Sequence, residues 1–68
     1  MLAFNGTNLT LSGADAARLD IFNIAGQLVM TTRIRQSAPV SLSPLSRGIY
    51  IARAKTDDEE TEIKFIVQ

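Results

Sequence analysis

The side chains of this 68-residue chain that could do chemistry are carboxylates, cations, one tyrosine and scattered hydroxyls; it has neither histidine nor cysteine. Without histidine the chain lacks the commonest general base and the commonest metal ligand. Without cysteine a disulfide scaffold and a thiolate zinc site are excluded, while the redox compartment stays open. The densest titratable group is the run Asp57, Asp58, Glu59 and Glu60. Oxygen ligands of this kind are what calcium takes. Their spacing is not that of a calcium loop, and successive carboxylates on a hairpin tip rarely converge. They read as a solvated turn whose like charges discourage aggregation of strand edges. No serine or threonine has a histidine or a nearby lysine to activate it. Paired carboxylates occur only in this mobile turn, which lacks the preorganisation that acid–base chemistry needs. No catalytic, metal or cofactor-binding residue is therefore expected, and the chain is not expected to be an enzyme.

Lysine plus arginine equals aspartate plus glutamate, seven of each. A neutral balance speaks against nucleic acid, whose binding needs a clustered basic field. Arg33, Arg35, Arg47 and Arg53 would form a basic strip only if the strand register aligned them. Asn5-Gly6-Thr7 and Asn8-Leu9-Thr10 match the glycan acceptor pattern by chance. No apolar run approaches the roughly 20 residues of a membrane helix. Met1-Leu2-Ala3-Phe4 is too short and too uncharged for a signal peptide.

The elements that must position these residues are short strands. Apolar residues come in brief runs separated by Gly, Pro, Ser, Asn and Asp, with no helical period. Strands are expected at Leu9–Leu11, at Leu19–Ile24, from Gln27 to Arg33, at Pro39–Leu42, at Gly48–Lys55 and from Thr61 to Val67. Leu19 and Ile21 share one face of their strand, with Phe22 and Ile24 on the other. That places the strand inside a sheet. Leu28 and Met30 compete with Val29 for the core. Pro39 keeps its strand near an edge. Tyr50, Ala52 and Ala54 share a face; so do Ile63, Phe65 and Val67, with Lys64 and Ile66 opposite. Six or seven short strands with turn signals roughly every 8–12 residues imply an all-β, mostly antiparallel, immunoglobulin-like sandwich. A domain of this size buries only about 60% of its unfolded surface and is marginal alone.

Asn23-Ile24-Ala25-Gly26 reads as a tight turn, with Asn bonding backbone amides and Gly supplying positive φ. Leu45 is expected to plug the core from the turn Ser43–Gly48. Tyr50 is expected to bury its ring and give its hydroxyl to a backbone acceptor.

Three segments together carry a family pattern. They are Leu19–Val29 with Asn23 and Gly26; Leu42–Ile51 with Leu45, Gly48 and Tyr50 in a Leu-x-x-Leu-x-x-Gly-x-Tyr arrangement; and Lys64-Phe65-Ile66-Val67-Gln68. In this order they resemble the C-terminal sorting domain of type IX (Por) secretion cargo, over roughly residues 9 to 68. The chain departs from that pattern in two places. Phe4-Asn5-Gly6-Thr7 stands where the family often has a Pro-Asn-Pro-like opening, and the acidic turn replaces a shorter Gly-rich one.

The resemblance implies that residues 1–68 form a single C-terminal sorting domain, excised from a larger secreted precursor. The cargo ahead of it would cross the inner membrane by a separate N-terminal signal. The domain would be read in the periplasm by the outer-membrane translocon, shuttle and sortase-like components, then removed, leaving cargo at the surface or outside the cell. Lys64, Phe65, Ile66, Val67 and Gln68 are the expected recognition residues. On physical grounds alone Lys64 is better explained as an outward lysine guarding an edge strand, and it is the resemblance that raises the recognition role to equal weight. Strand edges also make self-association an expectation. The competing reading is a structural or carbohydrate-binding β-sandwich module, although one Tyr, three Phe and no Trp are thin material for a glycan platform.

Overall fold

The computed structural model describes all residues, 1–68, as seven strands without a helix. β1 is Leu2–Phe4, β2 Asn8–Leu11, β3 Ala16–Asn23, β4 Leu28–Arg35, β5 Val40–Ser41, β6 Gly48–Lys55 and β7 Glu60–Val67. They form two antiparallel sheets, a three-stranded one in the order β1-β2-β5 and a four-stranded one in the order β4-β3-β6-β7. The expected all-β sandwich is thus what the chain forms.

The period-2 alternation of the strands explains why the layers face each other. Along β6 the residues Tyr50, Ala52 and Ala54 are buried, while Ile49, Ile51 and Arg53 between them are only half-buried. Along β3 the buried residues are Ala17, Leu19 and Ile21. The small sheet answers with Leu2, Leu9 and Leu11. Every fully buried residue is apolar or the tyrosine, and no buried side-chain polar atom lacks a partner. β3 lies between β4 and β6, as its two partly apolar faces suggest. Only one of those faces is core, however. Phe22 is half-buried on the outer face, and Ile24, beyond the strand, is 71% exposed.

Four other expectations change. β1 is a strand that the short run Leu2–Phe4 did not announce; it exists because it pairs with β2, Leu2 opposite Leu11 and Phe4 opposite Leu9. In β4 neither Leu28 nor Val29 reaches the core; both are exposed, Met30 is half-buried, and the buried residue is Ile34. A register shift against Ile21 and Phe22 lies at this end of β4 and interrupts the alternation there. In the turn after β5 the core residue is Leu42; Leu45 is half-buried and packs against the core from outside. The acidic turn is also shorter than expected, since Glu60 already belongs to β7 opposite Lys55.

Candidate functional site

The turn after β3 is built as the residue types require. The Asn23 side-chain oxygen accepts from the amides of Ala25 and Gln27, each at 3.0 Å, and the Gly26 amide donates to the Asn23 carbonyl. Gly26 sits at φ 85°, where a side chain would be strained. This turn fixes where β3 ends, and so places Asn23 opposite Tyr50 of β6.

Tyr50 is the hinge of the next relationship. Its hydroxyl donates to the Ser46 carbonyl at 2.7 Å, so the buried ring finds the backbone acceptor expected of it. Tyr50 also stands opposite Phe65 of β7. The row Asn23–Tyr50–Phe65 therefore crosses three strands and joins all three segments of the sequence pattern. Two positions along, Gly48 pairs with Val67, and the Tyr50 ring lies 3.6 Å from where a Gly48 Cβ would stand. Leu42, Leu45, Val67 and Gln68 line one shallow cleft together with Gly6 and Thr7. The Leu-x-x-Leu segment and the last residues thus meet at one end of the sandwich.

β7 is an edge strand, bonded to β6 alone. Its five C-terminal candidates divide by parity. Phe65 is buried, against Tyr50 at 5.7 Å and Phe4 at 5.0 Å between ring centroids. Val67 is half-buried and Gln68 is exposed beyond the strand. Lys64 and Ile66 point outward and are exposed, opposite Ile51 and Ile49. Lys64 takes part in none of the three ion pairs of the chain.

The outer face of the large sheet was less legible. Its rows run Arg33–Arg18–Lys55–Glu60, then Thr31–Asp20–Arg53–Glu62, then Leu28–Phe22–Ile51–Lys64. The expected basic strip does not form as drawn. Arg53 is tied to Glu60 and Glu62 at 3.0 and 2.9 Å and lies over the Phe22 ring, while Arg47 lies in the turn before β6. The cations that do align are Arg33, Arg18 and Lys55, and Arg18 was identifiable only from the register. Asp20 accepts from Thr31 at 2.6 Å and from Arg18 at 3.3 Å. The Thr31 hydrogen bond, with Arg18 adding to it against partial desolvation, holds the Asp20 carboxyl below its ordinary range. The apolar end, with Phe22, Ile51 and Ile66 outward, is another surface that exists only through the register of three strands.

The remaining motifs have local roles. The Asn5 side-chain oxygen accepts from the amides of Thr7 and Asn8, so it builds the turn between β1 and β2. The acidic turn is held by Thr56, whose hydroxyl accepts from the amides of Asp58 and Glu59. No group of three acidic side chains is placed to hold a metal ion.

Comparison with known families returns one result that covers this geometry. The family described as "Secretion system C-terminal sorting domain" matches residues 4–68. The chain belongs to that family. No curated protein matches it.

Proposed function

We propose that this member of the type IX sorting-domain family directs a preceding cargo across the outer membrane, and that the machinery reads it at β7. The observation that carries the reading is the row Asn23–Tyr50–Phe65, which brings the three family segments together beside an edge strand. An edge strand offers a line of unpaired amides and carbonyls. A partner strand adding to it gains affinity from the main chain and specificity from alternate side chains. Lys64, Ile66 and Gln68 supply that outward pattern, while Phe65 and Val67 set the strand in place.

In this role the chain is a signal and does not act as a catalyst. Its partners are the outer-membrane translocon, the shuttle and a sortase-like peptidase that removes the domain. The cargo passes through the periplasm and ends anchored at the surface or released outside.

The test is a fluorescent carrier with an N-terminal export signal, followed by residues 2–68, in a bacterium that has the pathway. Deleting Lys64–Gln68 should trap the carrier in the periplasm. That deletion also removes the core residue Phe65, so a second variant, K64E/I66K, changes the outward side chains alone. Surface delivery that survives both changes would overturn the reading of β7. Surface delivery lost only with the deletion would assign the residues a folding role instead.

A further inference from the structure

The free edge of β7 is unprotected in a way that the other edge of its sheet is not. β4 carries a register shift at its start, and at its end the Ala38 amide bonds the Arg35 carbonyl and covers the edge. β7 pairs with β6 at all eight positions without a bulge and contains no proline. None of the backbone hydrogen bonds outside the strand ladders comes from Glu60–Val67. Long, regular, unpaired edges are templates for pairing with another chain.

The side chains along this edge select a partner. Glu60, Glu62, Lys64 and Ile66 project on the outer face; Thr61, Ile63, Phe65 and Val67 project inward. Suppose the strand pairs antiparallel with a copy of itself about a two-fold axis perpendicular to the sheet. Each inward residue then meets an inward residue, and the two sheets become one. Centred on Glu62, this pairing sets Glu62 against its own copy; centred on Lys64, it sets lysine against lysine. Centred on Ile63, it places Glu62 opposite Lys64 of the second copy, twice, with no like charges opposed. Ile63 then meets Ile63, and Thr61 meets Phe65. The outward charges are thus self-complementary in one register, and Lys64, unpaired in the single chain, gains its partner there.

We propose that two copies of this chain pair through β7 about a two-fold axis at Ile63, joining their four-stranded sheets into one. The interface is isologous and closed, so it yields a dimer and not a filament. It rests on the charge pattern and the open edge, and stands whether or not the secretion machinery reads the same strand. A paired β7 would be unavailable for any other strand.

The charge pattern supplies its own test by sedimentation velocity over a range of concentrations and salt. The wild-type chain should dimerise, less so at high salt. E62K alone and K64E alone each turn both attractive contacts into repulsive ones and should weaken dimerisation by about tenfold or more. The double variant E62K/K64E restores opposite charges and should recover it. An equimolar mixture of the two single variants should form heterodimers. Circular dichroism of each variant establishes that the changes leave the fold intact. Amide exchange should show that the alternate amides of residues 61–65 left free by β6 become protected only at dimer-forming concentrations. A wild-type chain that stays monomeric throughout would overturn the proposal. So would a dimer indifferent to both single variants, or one whose added protection falls on β4.

Discussion

Tyr50 and Phe65 face each other across β6 and β7, their rings 5.7 Å apart and inclined by 23°. Phe4, from the small sheet, meets the same Phe65 ring at 5.0 Å. Phe65 is therefore the side chain through which the edge strand is held to its neighbour and to the opposite layer at once. Edge position and burial are reconciled at this residue. The backbone of β7 is open on one side, while its central aromatic is 3% exposed.

Phe65→Ala should for that reason destabilise the domain by about 3–5 kcal/mol. A domain this small has a total stability of the order of 5–15 kcal/mol at most, and lies towards the lower end. Urea denaturation followed by far-ultraviolet circular dichroism checks it. A loss below about 1 kcal/mol would mean that the aromatic cluster does not hold β7.

Tyr50→Phe isolates the hydroxyl. It keeps the ring contact and removes only the 2.7 Å bond to the Ser46 carbonyl. The expected loss is about 1 kcal/mol. Ser46 is exposed, so water can take over its carbonyl and keep the loss modest. The same denaturation experiment reads it, and Tyr50→Ala should cost several times more.

Asn23 and Gly26 fail differently. Gly26→Ala meets no atom within 4 Å, so its cost of about 1–2 kcal/mol comes from the backbone at φ 85° alone. Asn23→Ala removes both acceptor bonds to the Ala25 and Gln27 amides and should cost about 1 kcal/mol, with those exposed amides turning to water. Amide exchange across residues 25–27 distinguishes them. The Asn23 variant should expose those amides, and the Gly26 variant should keep them bonded.

The elements that were legible share a cause. β6 was expected at Gly48–Lys55 and occurs there, because alternation, a glycine start and a charged end all coincide in sequence. The Asn23–Gly26 turn was legible because its bonds are local. The core position of Ile34 was hidden because β4 is an edge strand exposed at most positions, so its sequence carries little alternation. β1 was hidden because three residues hold no period, and only β2 makes them a strand. The meeting of Leu45 with Val67 and Gln68 was hidden for the same reason: it depends on register between distant segments.

Leu42 and Leu45 turn that lesson into a measurement. The pattern Leu-x-x-Leu gives no reason to rank them, and the turn suggested Leu45 as the plug. Leu42 is 3% exposed, and its amide also donates to the Thr7 carbonyl, tying the turn to the small sheet. Leu42→Ala should cost about 2–5 kcal/mol. Leu45→Ala removes a half-buried side chain and should cost about 1 kcal/mol. Equal losses would contradict this arrangement of the turn.

Asp20 gives the fold its clearest dependence on pH. The Thr31 hydroxyl, 2.6 Å away, and then Arg18 favour its carboxylate and lower its pKa in the folded state. In the unfolded chain the same group titrates at about 3.9. Its contribution is thus fully present above the unfolded value and is lost as pH falls through the folded one. Carbon-detected titration of the Asp20 carboxyl should give a midpoint below the ordinary aspartate value. Thr31→Val removes the largest cause and should raise that midpoint. It should also shrink the loss of stability between neutral pH and about pH 2, a range wide enough to cover both states. Asp20→Asn should shrink it further, since no charge remains to titrate. A wild-type midpoint at or above the ordinary value would show that desolvation outweighs the hydrogen bonds, and the acid sensitivity of the domain would then arise from its other carboxylates.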